Sequence, residues 1–141
     1  MMERCVTRIA NKEAGAEKAK RWNKVSVEAA KQCGRGLIPK VLEPVSFDTA
    51  VEMLGKLQMP LMPYEVLGHE GQRGLKELLQ SNPQASEFGI LVGPEGGFAD
   101  GEAEHAIQKG IKAIGLGRRI LRTETVASAL IPMIMFDRNE I

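Results

Sequence analysis

Two short apolar runs, each ended by glycine, are the feature that most constrains the fold. Phe88-Gly-Ile-Leu-Val92 has the length of a strand and is broken by Gly93-Pro-Glu-Gly-Gly97. Ile111 to Leu116 is a second such run, ended by Gly117, and the loop after it leads straight into a helix. Glycine at these points lets the backbone turn sharply or approach a ligand closely, because no Cβ stands in the way. Two such loops at the carboxyl ends of parallel strands form the kind of crevice where α/β proteins place ligands. Either loop alone reads equally well as an ordinary strand-to-helix turn. The pair, with the Arg/Thr/Glu cluster that follows the second run, points to a site.

The rest of the chain supports that architecture. Glu3 to Ile9 reads as a short strand, and Lys12 to Cys33 as a helix stopped by Gly34. The inward stripe of that helix is Ala19, Trp22, Ala29 and Ala30, with Val25 or Val27, and its lysines form a solvated face. Trp22 reads as core rather than as a stacking platform. A short strand is expected around Lys40 to Leu42, then a helix capped by Ser46 or Asp48 and running through Leu57. Pro60 to Leu67 is apolar and β-like, although Pro60 and Pro63 restrict its ladder bonding. Leu75 to Leu79 suggests a helical turn, Asp100 to Lys109 a helix, and Glu124 to Arg138 a final helix. Ala127, Leu130, Ile131, Ile134 and Met135 form its apolar side, with Pro132 inside it. Strand and helix alternate, which argues for an α/β fold with a mainly parallel sheet and flanking helices.

Composition removes several function classes. A chain of 141 residues is one domain by size, residues 1–141, and can bury a real core. The net charge of +1 argues against a strongly cationic nucleic-acid coat but allows a local basic face. Cys5 and Cys33 are too few for a disulfide framework or a CxxC site, so both are expected as free, buried thiols. His69 and His105 lack partners at ligand spacing, so no metal is expected. No apolar stretch approaches the ~20 residues that span a bilayer, and no signal sequence is evident, so a cytoplasmic protein without a membrane partner is expected.

The crevice carries neither GxGxxG nor GxxxxGK[ST], so neither a dinucleotide site nor a P-loop is signalled. It offers the backbone groups of Leu91 to Gly97 and of Leu116 to Leu121. Groups of this kind can recognise an adenine while apolar side chains, here Ile120 and Leu121, sandwich its ring. Glu95 has two readings, as a partner of ribose hydroxyls or as a carboxylate that ties its loop down. Phe98 could stack on a base, although packing under the loop is the stronger reading.

GPEGGF, the LGRRILRTET segment at Leu116–Thr125 and the upstream RW…AAKQCGR…PKV resemble the bacterial 16S ribosomal RNA uridine-N3 methyltransferases, ribosomal small subunit methyltransferase E. That family belongs to the SPOUT, or trefoil-knot, superfamily, and the resemblance runs from about Glu3 to Phe136. It implies a C-terminal knot in which about Leu116 to Ile141 threads an earlier loop, and S-adenosyl-L-methionine as cofactor. The cofactor-binding set is then Leu91, Val92, Gly93, Glu95, Gly96, Gly97, Leu116, Gly117, Ile120, Leu121 and Thr125. The implied acceptor is N3 of a uridine in small-subunit ribosomal RNA. That nitrogen holds a proton and is a poor nucleophile until the proton leaves. Arg122 is suited to hydrogen-bond a uracil oxygen and offset the growing charge. Glu124 could accept the N3 proton, hold the cofactor's amino group, or fix Arg122. Thr123 and Thr125 could orient these groups, and Thr123 could equally cap the last helix. Gln32 and Arg35 match a family signature and, with Arg118 and Arg119, are expected to bind RNA phosphates. A homodimer is implied as well.

Lys31 stands where the family commonly has Glu, without bearing on the chemistry, and two other departures from the family pattern have consequences. Ala99 stands where Ser or Thr usually caps the helix above Glu102, so the capping box is incomplete unless Asp100 takes over. At the start, Glu3-Arg4-Cys5-Val6 resembles a segment that in the family follows an RNA-binding β-domain and a first strand and helix. The chain is therefore expected to be N-terminally incomplete and to hold RNA weakly. The competing readings are a non-catalytic knot domain that binds cofactor or a ribosomal partner, and an enzyme acting on a ribose 2′-hydroxyl or another base.

Overall fold

The computed structural model describes residues 2–6, 8–64, 74–117 and 119–141. In chain order they form α1 (Lys12–Gln32), α2 (Phe47–Leu54), β1 (Met59–Pro63), α3 (Leu75–Ser81), β2 (Phe88–Ile90), α4 (Asp100–Gln108), β3 (Lys112–Ile114) and α5 (Thr123–Asp137). The chain divides into two compact units, Met1–Val6 with Phe47–Ile141 and Thr7–Ser46. No helix among the described residues is long and apolar enough to cross a membrane.

In the larger unit three parallel strands lie in the order β2-β1-β3. The chain leaves β1 in one direction and β2 in the other, so right-handed crossovers put α3 and α4 on opposite faces. The packing agrees. On one face Met59, Leu61 and Ile114 meet Leu75, Leu78 and Leu79 of α3 with Leu130 and Ile134 of α5. On the other, Met62 meets Val51 of α2, Ala103 and Ala106 of α4, and Leu91, Phe98 and Ile111. A parallel sheet buried on both faces is the result, as the alternation of strands and helices leads one to expect. Met59, Leu61, Met62, Ile114 and Leu130 are fully buried, each contributing about 1.5–3 kcal/mol of transfer free energy.

Two prolines in the central strand call for an explanation, since proline cannot donate to a ladder. Met59 N–H bonds Glu87 O, and Leu61 O accepts from Leu91 N–H, so odd positions of β1 face β2. Tyr64 N–H bonds Ile114 O, so even positions face β3. The pairing with β3 begins at Leu61, after Pro60, and the pairing with β2 ends at Leu61, before Pro63. Each missing N–H therefore points to a side where no partner is paired.

In the smaller unit, the Asn11 side chain caps α1 by accepting from Ala14 N–H at 2.8 Å. Gly34, at φ +68°, ends it, with Arg35 N–H bonded to Ala30 O at 2.9 Å and Gly34 N–H to Lys31 O at 3.3 Å. This is a Schellman closure, available to glycine without strain. The strand expected at Lys40–Leu42 does not form. Asn23 takes the place of a neighbouring strand, its amide donating to Val41 O at 2.7 Å and its oxygen accepting from Val41 N–H at 3.0 Å. The expected inward stripe of α1 is narrower than its pattern suggests. Ala19 and Ala30 are buried, whereas Trp22 is 38% and Val25 64% exposed, and Ala29 is exposed too.

Other expectations are corrected in detail. No strand is described over Glu3–Ile9; residues 3 and 4 form a turn, and Cys5 N–H bonds Met2 O. The part of the apolar β-like stretch that follows Tyr64, through Leu67, lies outside the described residues, as does His69. Cys33 is exposed rather than buried. His105 faces Asp48 at 3.3 Å. On α5 the buried residues are Val126, Leu130 and Ile134, while Ile131 is exposed.

The end of α5 is tied to α3 by one side chain. Arg138 donates to Leu79 O at 3.3 Å, Asn82 O at 3.0 Å and Pro83 O at 3.3 Å, and its guanidinium lies 5.3 Å from the centre of the Phe88 ring. A cation at a helix carboxyl end satisfies carbonyls that have no partner within the helix. Arg138→Ala is expected to lower stability by about 2 kcal/mol, read as a shifted midpoint of urea unfolding with an unchanged slope.

Candidate functional site

A crevice of about 450 Å³ opens at the carboxyl ends of β1 and β2, beside the segment that enters α5. Pro63, the last residue of β1, forms its floor with Val92 and Gly93. The loop after β2 adds Pro94, Glu95, Gly97 and Phe98. The segment entering α5 adds Ile120, Leu121, Arg122, Thr123, Glu124 and Val126. The volume lies in the range that holds a small organic ligand, and the position is the one that parallel α/β topology favours.

The first loop owes its shape to its glycines. Gly97 sits at φ +72° and closes a turn by donating to Pro94 O at 2.9 Å. At Gly93 a Cβ would lie 3.1 Å from the Phe98 ring. Glycine there lets Phe98 pack beneath the loop, 3% exposed and edge-on to Tyr64 at 6.2 Å. Phe98 is thus a support for the loop and not a platform for a base. Val92, Gly93, Glu95 and Gly96 carry amides with no acceptor among the described residues. Such groups take water or a ligand. Glu95 is exposed and makes no hydrogen bond to the loop among the described residues, so the loop-tying reading is not what this structure has.

The second loop turns at Gly117, φ +91°, and runs into α5. Arg122 is the N-cap residue, and its carbonyl accepts from Thr125 N–H at 2.8 Å and Val126 N–H at 3.1 Å. The cap is therefore not Thr123, which is the first helical residue, and no side chain caps this helix. The positive end of the α5 dipole lies beside the crevice, where it favours negative charge. Arg122 and Glu124 form no ion pair with each other among the described residues, and both line the crevice wall. At the start of α4, Glu102 reaches back to Ala99 N–H at 3.0 Å, while Ala99 supplies no side-chain acceptor. Half of the capping box forms, and Asp100 is helical rather than the cap.

The structure brings together Val92, Gly93, Glu95, Gly97, Ile120 and Leu121 with Arg122 and Glu124. It keeps five other named residues off the wall. Leu91 is buried, Leu116 packs against the core, Gly96 rests on Arg4, Gly117 makes the turn and Thr125 is exposed. Pro63 and Val126 line the crevice although the sequence does not single them out for it, and Pro94, Phe98 and Thr123 line it beside the named set. Val126 is within reach of sequence reasoning, since it stands one helical turn after Arg122. Pro63 is not, because nothing in a single strand says which neighbours it will have. Gln32 and Arg35 are exposed at the end of α1 in the smaller unit, Arg119 is exposed in the larger, and Arg118 lies outside the described residues. Among the described residues no three His, Cys, Asp or Glu side chains are grouped to hold a metal.

Comparison with known proteins adds to this geometry. Residues 1–135 match the RNA methyltransferase domain. Ribosomal RNA small subunit methyltransferase E of Bacillus subtilis is 33% identical over 123 residues, covering 86% of this chain and 48% of that protein. The enzyme of the same name from Mesomycoplasma hyopneumoniae is 34% identical, covering 86% and 50%. The chain thus spans about half the length of the curated relatives it matches. Among solved structures, a Legionella pneumophila methyltransferase in complex with the cofactor SAM superposes with a TM-score of 0.83 at 30% identity, over 96% of this chain and 52% of that one. The Neisseria gonorrhoeae small subunit methyltransferase E bound to S-adenosyl methionine gives 0.79 at 28% identity, over 96% and 52%. With a match across nearly its whole length and a crevice at the strand ends, this chain belongs to the RNA methyltransferase domain family.

Proposed function

We propose that this chain carries the cofactor-binding and catalytic part of an S-adenosylmethionine-dependent methyltransferase acting on uridine N3 of small-subunit ribosomal RNA. The observation that carries the reading is the crevice in which the two glycine loops meet Arg122 and Glu124. Its residues fit the cofactor. Loop amides without an acceptor among the described residues and the Glu95 carboxylate suit polar groups of a nucleoside, and Ile120 and Leu121 offer apolar walls for a purine ring. Bound there, S-adenosylmethionine would supply an electrophilic methyl group.

The chain's own residues then handle charge and proton. Arg122 hydrogen-bonds a uracil oxygen and, with the positive end of α5, offsets the negative charge that grows as N3 loses its proton. Glu124 takes that proton, directly or through water, so N3 exchanges a hydrogen for a methyl group. Gln32, Arg35, Arg118 and Arg119 bind phosphates, each in its own unit, and the base presents its pairing edge unpaired. On the same family ground we place a trefoil knot in the segment from Leu116 to Ile141 and the enzyme's work in the cytoplasm. The test is incubation with small-subunit RNA and S-adenosylmethionine labelled in its methyl group, followed by nucleoside analysis. Labelled 3-methyluridine is expected. A chain that binds the cofactor yet labels no RNA would leave the non-catalytic reading, and a labelled ribose would change the acceptor.

A symmetric homodimer forms part of this proposal. Ile131, Met133 and Phe136 of α5 are 47%, 52% and 74% exposed and are the apolar side chains on this helix that a partner subunit could cover. Light scattering is expected to give twice the chain mass of 15.4 kDa.

A further inference from the structure

We infer that Arg4 is a positioning residue of this crevice, part of a strap at residues 2–4 that holds the Gly93–Phe98 loop in its ligand-binding shape. The inference rests on the proposed reading of the crevice as a cofactor site. A loop with three glycines has many conformations to lose on binding, so its affinity depends on what restrains it beforehand. Little within the loop does so, apart from the bond from Gly97 to Pro94. The restraint comes from outside. Met2 is half-buried against the core cluster that contains Phe98. Glu3 N–H donates to one oxygen of Glu102 at 2.7 Å, and the other oxygen accepts from Ala99 N–H at 3.0 Å. One carboxylate therefore joins the strap to the residue that follows the loop. The Arg4 guanidinium donates to Phe98 O at 3.1 Å. Its backbone meets the loop as well, because a Cβ on Gly96 would stand 2.9 Å from Arg4 Cβ and 3.0 Å from Arg4 O.

These contacts give Gly96 a role that neither its backbone angle nor the crevice wall supplies. It is the point where the loop lies flat on the strap, while Glu95 and Gly97 on either side of it line the crevice. Arg4 does not line the crevice, so it acts through the loop.

Arg4→Ala and Glu102→Ala, made in the whole chain, test the strap from its two ends, with Arg4→Lys as the conservative variant. Three quantities are read for each: S-adenosylmethionine affinity by calorimetry, the thermal midpoint, and hydrogen exchange of the Gly97 amide, whose bond to Pro94 O closes the loop. Affinity is expected to fall about tenfold in both alanine variants, with loop exchange at least about tenfold faster and the exchange of β1 amides unchanged. Arg4→Lys, which keeps one donor for Phe98 O, should recover part of both losses. Unchanged affinity and loop exchange would overturn the inference. So would losses that follow a general fall in stability, with β1 amides exchanging faster in step. If the unsubstituted chain binds no S-adenosylmethionine, the cofactor reading fails by itself, and the strap stands or falls on loop exchange alone.

Discussion

Arg122→Ala is expected to slow methyl transfer about 100- to 1000-fold while changing S-adenosylmethionine affinity by less than about threefold. The split follows from where the charge develops. In the proposed mechanism the guanidinium is matched to a uracil oxygen that becomes negative only as N3 loses its proton, so its removal would raise the barrier more than it weakens the resting complex. The substitution is also gentle on the fold. Arg122 caps α5 through its carbonyl, which alanine keeps, and its side chain contributes no capping bond. Arg122→Lys should fall between the two, since it retains the charge and loses the planar fork. The measurement is single-turnover methylation of the RNA at saturating cofactor, beside calorimetry of the cofactor alone. Equal rates for the parent chain and the Arg122→Ala variant would remove the arginine from the chemistry, and an affinity loss as large as the rate loss would make it a ground-state binding group.

How much of this is readable beforehand depends on the range of the interactions involved. The strand–helix alternation and the glycine stops are local signals, and the parallel sheet, α4 and α5 follow from them within a few residues. Both loops reach the crevice because parallel strands deliver their carboxyl ends to one edge, a rule that does not depend on detail. What fails is set at long range. The segment at Lys40–Leu42 has the look of a strand but finds the Asn23 amide instead of a ladder. The start of the Glu3–Ile9 stretch is spent on the outer side of the glycine loop, through Glu102 and Phe98, which no local pattern announces. Phe98 and Gly96 face inward and outward from the same loop, and only the partners Tyr64 and Arg4 decide which does which. Spacing alone marks a loop as a site. It does not say which side of the loop the ligand will see.

Gly97→Val is the sharper test of that side. The residue lines the crevice at φ +72°, a conformation that β-branched side chains adopt only under strain. Holding valine there costs on the order of 1–3 kcal/mol. The chain can keep the geometry and lose that much stability, or relax the turn and move the Pro94–Gly97 wall. Relaxation is the cheaper course, because within the loop the turn is closed by one bond, from Gly97 N–H to Pro94 O at 2.9 Å, and its Gly97 side faces the crevice rather than the Arg4 contact. S-adenosylmethionine affinity is therefore expected to fall by more than about tenfold, with a thermal midpoint close to that of the parent chain. Gly101→Ala is the matched control. That glycine is exposed near the start of α4, has ordinary backbone angles and has nothing within 4 Å of an added Cβ. Alanine there should leave affinity untouched and raise stability by up to about 1 kcal/mol. If Gly97→Val bound the cofactor as tightly as Gly101→Ala, the loop would not contact the ligand, and the second loop with the start of α5 would have to hold it alone.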